Sequence, residues 1–232
     1  SADDTELMVR ALQRSGCEPT YERVETPEAM LAALERGHLD LVIADYSMPH
    51  FSGLAALKML QDLQLDLPFI LVSGSVGEDV AVAAIRAGAQ DYIMKANLTR
   101  LAPAVERELR DAQVRRERKQ AESRYRNLFN SVPVGVFITT PEGNVIEANS
   151  RFIAMLGFAD LESLKRRNMG DLWAHPEERL RLGAIIEREG AIENVEVEFC
   201  RSDGRTVWCA LSSQITYDAI GKIDHYEGVS VD

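Results

Sequence analysis

The stretch Leu41-Val-Ile-Ala44 constrains the fold more than any other part of the chain: it is continuously apolar, ends on Asp45 and is followed by Pro49 and Gly53. A short unbroken apolar run between turn residues reads as a strand buried on both faces, the mark of a parallel sheet covered by helices on each side. Pro49 and Gly53 force a loop before the next helix. In such a sheet the ligand crevice lies beyond the carboxyl ends of the strands. Asp45 stands at one of these ends and is the candidate for chemistry, against the competing reading of a loop aspartate that bonds nearby backbone amides.

The surrounding pattern agrees. Glu6 to Arg14 has apolar positions at helical spacing, with Asp3 and Asp4 placed to cap its positive end and Gly16 to stop it. A strand is expected around Thr20–Val24, then a helix opened by Thr26-Pro27-Glu28 and running to about Arg36. After the Asp45 strand come a helix from Leu54 to Leu63, a buried strand in Pro68-Phe-Ile-Leu-Val-Ser-Gly74, a helix from Asp79 to Ala87, and the strand Asp91-Tyr-Ile-Met94 ending at Lys95. Repeated units of this kind predict a doubly wound α/β domain with right-handed crossovers.

Three strand ends then meet at one edge: Asp45, Ser73 and Lys95. A carboxylate, a hydroxyl and an ammonium together suit phosphoryl transfer to the carboxylate, where a protein mainly positions groups and neutralises charge. Taken singly, Lys95 reads as a surface lysine and Ser73 as a turn hydroxyl. An Asp-nucleophile phosphohydrolase would use a second carboxylate two residues after the first, and Ser47 occupies that position.

On Asp45 in Asp-Tyr-Ser-Met-Pro, Ser73-Gly74, Ala87-Gly-Ala-Gln-Asp-Tyr92 and Lys95, residues 1 to 112 resemble a response-regulator receiver domain of two-component signalling. The resemblance implies that Asp45 is the phosphoacceptor for a histidine kinase or phosphotransfer protein. It implies that Ser73, Gly74, Tyr92 and Lys95 bind or sense the phosphoryl group, with Ser73 and Tyr92 as a switch pair. It also implies Mg²⁺ held by Asp45, the backbone carbonyl of Ser47 and an acidic pair after the family's first strand. The chain opens at Ser1-Ala-Asp-Asp4, already in the first helix, so that strand and pair are expected before Ser1 in a longer protein. Asp3 and Asp4 come too late to be the pair and read as helix caps. Ala96 stands where the family has a proline, commonly after a cis bond; cis before alanine costs ~3 kcal/mol, so a trans Lys95–Ala96 bond and a reshaped loop are expected.

From Leu98 to Val132 a helical pattern runs on, with no Gly or Pro after Pro103 and both charge signs densely mixed. Leu101, Val105, Leu109 and Ala112 make one apolar stripe, and Ala121, Tyr125, Leu128 and Val132 a second. Residues 113–130 are read as a linker, either a solvated single helix or, preferred here, a parallel two-chain coil that joins dimeric modules.

After Pro133 the period becomes that of strands. Val134–Thr140 and Val145–Ala148 form a hairpin; short helices follow at Asn149–Gly157, Leu161–Lys165 and Glu177–Arg188; the strands Val195–Cys200, Thr206–Ser213 and Ile223–Val231 close the chain. This is an antiparallel α+β domain with helices on one face and room for an apolar hollow. Pro133-Val-Gly-Val-Phe-Ile, Gly143-Asn-Val-Ile-Glu-Ala-Asn149, Phe152, Leu156-Gly157, His175-Pro-Glu-Glu-Arg179, Asp203-Gly-Arg and Gly228-Val-Ser-Val-Asp232 make residues 131 to 232 similar to a PAS sensory domain. Haem and covalent flavin are not expected, since the 177–188 helix has no histidine and no cysteine lies in the family's flavin-linking run; His175 reads as structural. The ligand is left unassigned, and the domain can equally serve dimerisation.

The net charge of -11 argues against nucleic-acid binding, and no apolar run approaches the length of a membrane span. Three scattered cysteines without a Cys-x-x-Cys spacing read as idle thiols. The expected whole is a cytoplasmic signalling protein, not an enzyme, whose receiver acts through the linker helix on the PAS domain and an effector outside this segment. The alternative is a receiver and PAS scaffold that is never phosphorylated.

Overall fold

A computed structural model describes residues 2–48, 51–74 and 78–232, and the chain divides into two compact units, residues 1–120 and 121–232. Pro49, to which the loop after Asp45 was attributed, lies outside the described residues.

In the first unit the elements are α1 (Ala2–Arg14), α2 (Pro27–Glu35), β1 (Val42–Asp45), α3 (Gly53–Asp62), β2 (Phe69–Ser73), α4 (Glu78–Arg86) and β3 (Asp91–Met94). A 3₁₀ segment over Lys95–Arg100 leads into α5 (Leu101–Ser131). The three strands are parallel in the order β1-β2-β3, with Asp45 opposite Val72 and Ser73 opposite Met94. β2 is buried throughout and its alternation serves two cores. Phe69 and Leu71 pack with Met30, Leu34, Leu57 and Leu60 of α2 and α3, while Ile70 and Val72 pack with Leu12 of α1 and Leu101 and Val105 of α5. The unbroken apolar run Phe69–Val72 is what that two-sided burial requires.

Thr26 caps α2 and Ser52 caps α3, each side chain accepting a backbone N–H three residues on. The strand expected at Thr20–Val24 does not form. Among the described residues that stretch has no neighbour to ladder with, and its apolar content goes instead into Val24, half-buried against the α2 and α3 core. The Lys95–Ala96 bond is trans, as expected, and the loop after Lys95 is drawn into the 3₁₀ segment.

The first apolar stripe of α5 belongs to this unit's core: Leu101, Val105 and Ala112 are buried and Leu109 packs beside them. Of the second stripe, Tyr125, Leu128 and Val132 are exposed. No described helix is long and apolar enough to cross a membrane.

The second unit holds β4 (Gly135–Thr139), β5 (Val145–Ala148), α6 (Ser150–Met155), α7 (Leu161–Lys165), α8 (Pro176–Glu189), β6 (Ala191–Cys200), β7 (Thr206–Tyr217) and β8 (Ile223–Val231). The sheet is antiparallel in the order β5-β4-β8-β7-β6. β6 is longer than its sequence suggests because the alternation breaks at Asn194, whose φ of 52° and bond from its N–H to Ser212 Oγ make a bulge that lets the pairing continue to Ala191; β7 runs on to Tyr217 by pairing with β8. Phe137 stacks on Phe152 at 4.4 Å, and Phe152 meets Phe199 edge-on at 6.4 Å. Gly228 is required here, since a Cβ on it would lie 2.2 Å from the Phe137 ring.

Asn149 is fully buried and uses all its hydrogen-bonding capacity. Its Nδ2 donates to the carbonyls of Phe129 (3.0 Å) and Val134 (2.9 Å), and its Oδ1 accepts the N–H groups of Val136 and Phe152, both at 2.9 Å. The last turns of α5, the start of β4 and the N-terminus of α6 thus meet on one amide.

Candidate functional site

Strand parity decides which side chains meet at the carboxyl edge of the parallel sheet. Leu41 and Ile43 face α1 and α5, so Asp45, two residues further, leans to the same side; Ile93 faces that side too, and so does Lys95. The Lys95 ammonium lies 2.5 Å from one Asp45 carboxylate oxygen. The other Asp45 oxygen accepts the Ser47 N–H at 3.2 Å, which holds the carboxylate in one orientation. The Asp45 side chain is 13% exposed and Lys95 26%, so the pair is sheltered while still reached by solvent.

Ser73 closes β2 one residue beyond the register partner of Asp45 and is buried. Gly74 follows it, and a Cβ there would sit 3.5 Å from the Lys95 stem. Tyr92 lies on β3 opposite Leu71, half-buried against the α2 and α3 core. Gly53 sets the floor: its N–H donates to the Tyr46 carbonyl, and a Cβ would meet Leu71 Cδ2 at 2.4 Å and the Asp45 carbonyl oxygen at 2.6 Å.

Sequence reasoning missed one member. Asp4, read above only as a helix cap, places Oδ2 at 2.9 Å from Lys95 Nζ, so the ammonium bridges two carboxylates. The signal that could have found it is topological. Helices covering such a sheet begin at the edge where the strands end, so an acidic first turn of α1 is brought toward Asp45. Burial lowers the Lys95 pKa, but bonds to Asp45 and Asp4 more than offset this and the net shift is upward, keeping the ammonium charged at neutral pH.

A family model described as response regulator receiver domain matches residues 2–106, and one described as PAS fold matches residues 123–229. The chain is a receiver domain followed by a PAS domain. The receiver stretch is 40% identical over 57 residues to response regulator SaeR of Staphylococcus epidermidis, a match covering 25% of each chain. It is 36% identical over 96 residues to a protein-glutamate methylesterase/protein-glutamine glutaminase of Paramagnetospirillum magneticum, covering 40% of this chain and 25% of the relative. Sensor histidine kinase TmoS of Ectopseudomonas mendocina is 22% identical over 210 residues, 75% of this chain and 22% of that protein. The chain thus spans about a quarter of the length of these curated relatives. Among solved structures, the PAS domain of an HTR-like protein from Haloarcula marismortui aligns with a TM-score of 0.44 at 20% identity, over 52% of this chain and 98% of that one.

Receiver and PAS domains together fit a two-component signalling protein, and receiver domains generally bind Mg²⁺. The donors here suit that ion in its usual watered form. Asp45 and Asp4 supply two carboxylates, and among the described residues no cluster of three or more His, Cys, Asp or Glu side chains forms a closed cage. Mg²⁺ commonly takes one or two carboxylates and keeps several waters. His175, read as structural, faces Glu198 at 3.2 Å. All three cysteines are unpaired, and burial pushes the Cys209 thiol up to about 11.

Proposed function

We propose that the receiver accepts a phosphoryl group on Asp45 from a histidine kinase or phosphotransfer protein. The observation that carries this reading is the Lys95 ammonium 2.5 Å from the Asp45 carboxylate at the edge where β1 and β3 end. An Asp45 oxygen attacks the phosphorus of the partner's phosphohistidine; the P–O bond forms, the P–N bond breaks, and the imidazole nitrogen keeps the electron pair. Lys95 offsets the charge developing on the phosphoryl oxygens, the Ser73 hydroxyl and Gly74 N–H bond them, and Ser73 with Tyr92 re-orients once the group is attached. Mg²⁺ would be held by Asp45, Asp4 and the Ser47 carbonyl with waters, and would supply charge neutralisation. The chain itself turns over no phosphate ester.

The change passes along α5 to the PAS domain and an effector. The exposed Tyr125, Leu128 and Val132 form the seam on which two copies pair. TmoS, named a sensor histidine kinase, supports this setting, because its similarity covers 75% of this chain and so extends beyond either module.

Incubating the chain with Mg²⁺ and acetyl phosphate and measuring intact mass tests the assignment. The wild type is expected to gain one phosphoryl group and Asp45→Asn none. No gain by the wild type, or equal gain by both, overturns it.

A further inference from the structure

The PAS unit has a cleft of about 330 Å³, open to solvent on one side, between its sheet and α8, within the size range of small-ligand sites. Phe137, Met169, Trp173, Ile186 and Leu211 give it an apolar body. Two polar groups on its wall are not used by the fold. Thr139 is only 6% exposed and lines the cavity, yet among the described residues its hydroxyl has no hydrogen-bond partner. Its oxygen is not among the sealed polar atoms of the fold, so it stays open to the hollow and free to bond a ligand atom.

Arg179 is the second. It lines the same cavity from α8, and its guanidinium lies over Gly143 and Gly170, within 3.0 Å of where a Cβ on either would stand. It has no ion pair or hydrogen bond among the described residues. The other titratable groups on the wall are Glu187 and Tyr226, and these are engaged with each other, the Tyr226 hydroxyl donating to Glu187 at 3.4 Å.

We infer that this cavity binds a small monocarboxylic acid, its carboxylate on Arg179, its apolar body against Phe137, Trp173 and Leu211, and an oxygen of its head group on the Thr139 hydroxyl. A guanidinium matches a carboxylate with paired N–H donors in a fixed fork. The ligand is a monoacid because Glu187 stands eight residues along α8 from Arg179, about 12 Å by helix rise, and would repel a second carboxylate reaching across the cavity. This inference goes beyond the phosphoacceptor reading and does not depend on it.

Calorimetric titration of the unphosphorylated 232-residue chain with phenylacetate, hexanoate, their neutral amides and hexanedioate decides the matter. Each monoacid is expected to bind about ten- to a hundredfold more tightly than its amide, and hexanedioate more weakly than hexanoate. Arg179→Gln removes the preference for acid over amide, Arg179→Lys retains part of it, and Thr139→Val weakens acid and amide alike. Equal binding of acid and amide by the wild type, an acid preference that survives Arg179→Gln, or no binding of any probe overturns the inference. Should Arg179→Gln fail to fold, the wild-type comparison and Arg179→Lys still decide it.

Discussion

The parallel sheet of the receiver buries both faces, whereas the antiparallel sheet of the PAS domain packs its helices on one, and the difference fixes where each can meet another molecule. With Phe69 and Leu71 filling one core and Ile70 and Val72 the other, the receiver has only its rim left for chemistry, and Asp45, Asp4 and Lys95 gather there. The PAS sheet curves around its own helices and holds a cavity against its inner face. Function at a rim depends on a few charged contacts; function inside a hollow depends on packing.

The sharpest way to break that contrast is Lys95→Ala. It removes the cation at the rim, and labelling by acetyl phosphate is expected to slow by about a hundredfold or more. Both tryptophans lie in the PAS domain, so unfolding followed by tryptophan fluorescence is expected to be unchanged. A large loss of that stability would mean the rim is part of a shared core.

Asn149→Ala probes the opposite case. Four backbone groups lose their partner at once in a fully buried place, so the fluorescence-detected urea transition should fall by roughly 3 kcal/mol, with labelling of Asp45 retained. An unchanged transition would show that water replaces the amide.

Two glycines sharpen the comparison through opposite signs. Gly53→Ala forces a Cβ into Leu71 and the Asp45 carbonyl, which should destabilise the receiver by about 1–3 kcal/mol and slow labelling. Gly183→Ala, in α8 beside the cavity with nothing within 4 Å of the new Cβ, should stabilise the PAS domain by about 0.5–1 kcal/mol. Thermal melts of each variant, with circular dichroism for the receiver and fluorescence for the PAS domain, give the signs.

The smallest effect is on pH. His225 bonds Asp224 at 2.7 Å and Glu227 at 3.3 Å, which raises its pKa above the ordinary 6.5, Asp224 contributing most. A raised pKa in the folded state stabilises below the unfolded value, and the gain disappears as pH climbs through the folded one. PAS stability should therefore decline slightly from pH 6 to pH 8, and His225→Gln should flatten the slope.

How much of this was legible in the sequence follows from how local each feature is. The run 41–44 and the ends at Asp45, Ser73 and Lys95 are visible because burial on both faces writes an unbroken apolar string. The helix through residue 131 is visible because no breaker interrupts it. Asp4 was not legible as a site residue, since its meeting with Lys95 depends on how α1 docks across some ninety intervening positions. The missing strand at 20–24 fails for the same reason, because a strand exists only with a neighbour. The length of β6 was obscured by one bulge, and the cavity by the fact that Thr139 and Arg179 look like ordinary surface residues until the sheet curves around them.

The amide of Asn149 ties the mouth of the sensory core to the rod that enters it. Phe152, whose N–H it accepts, lies ring against ring with Phe137 on the cavity wall, while Phe129, whose carbonyl it holds, belongs to the final turns of α5. An occupant that displaces Phe137 must either drag those turns along or leave a polar group stranded without water. Because stranding is expensive, the one amide that holds the last turns of α5 also resists any displacement of Phe152 and, through it, of Phe137.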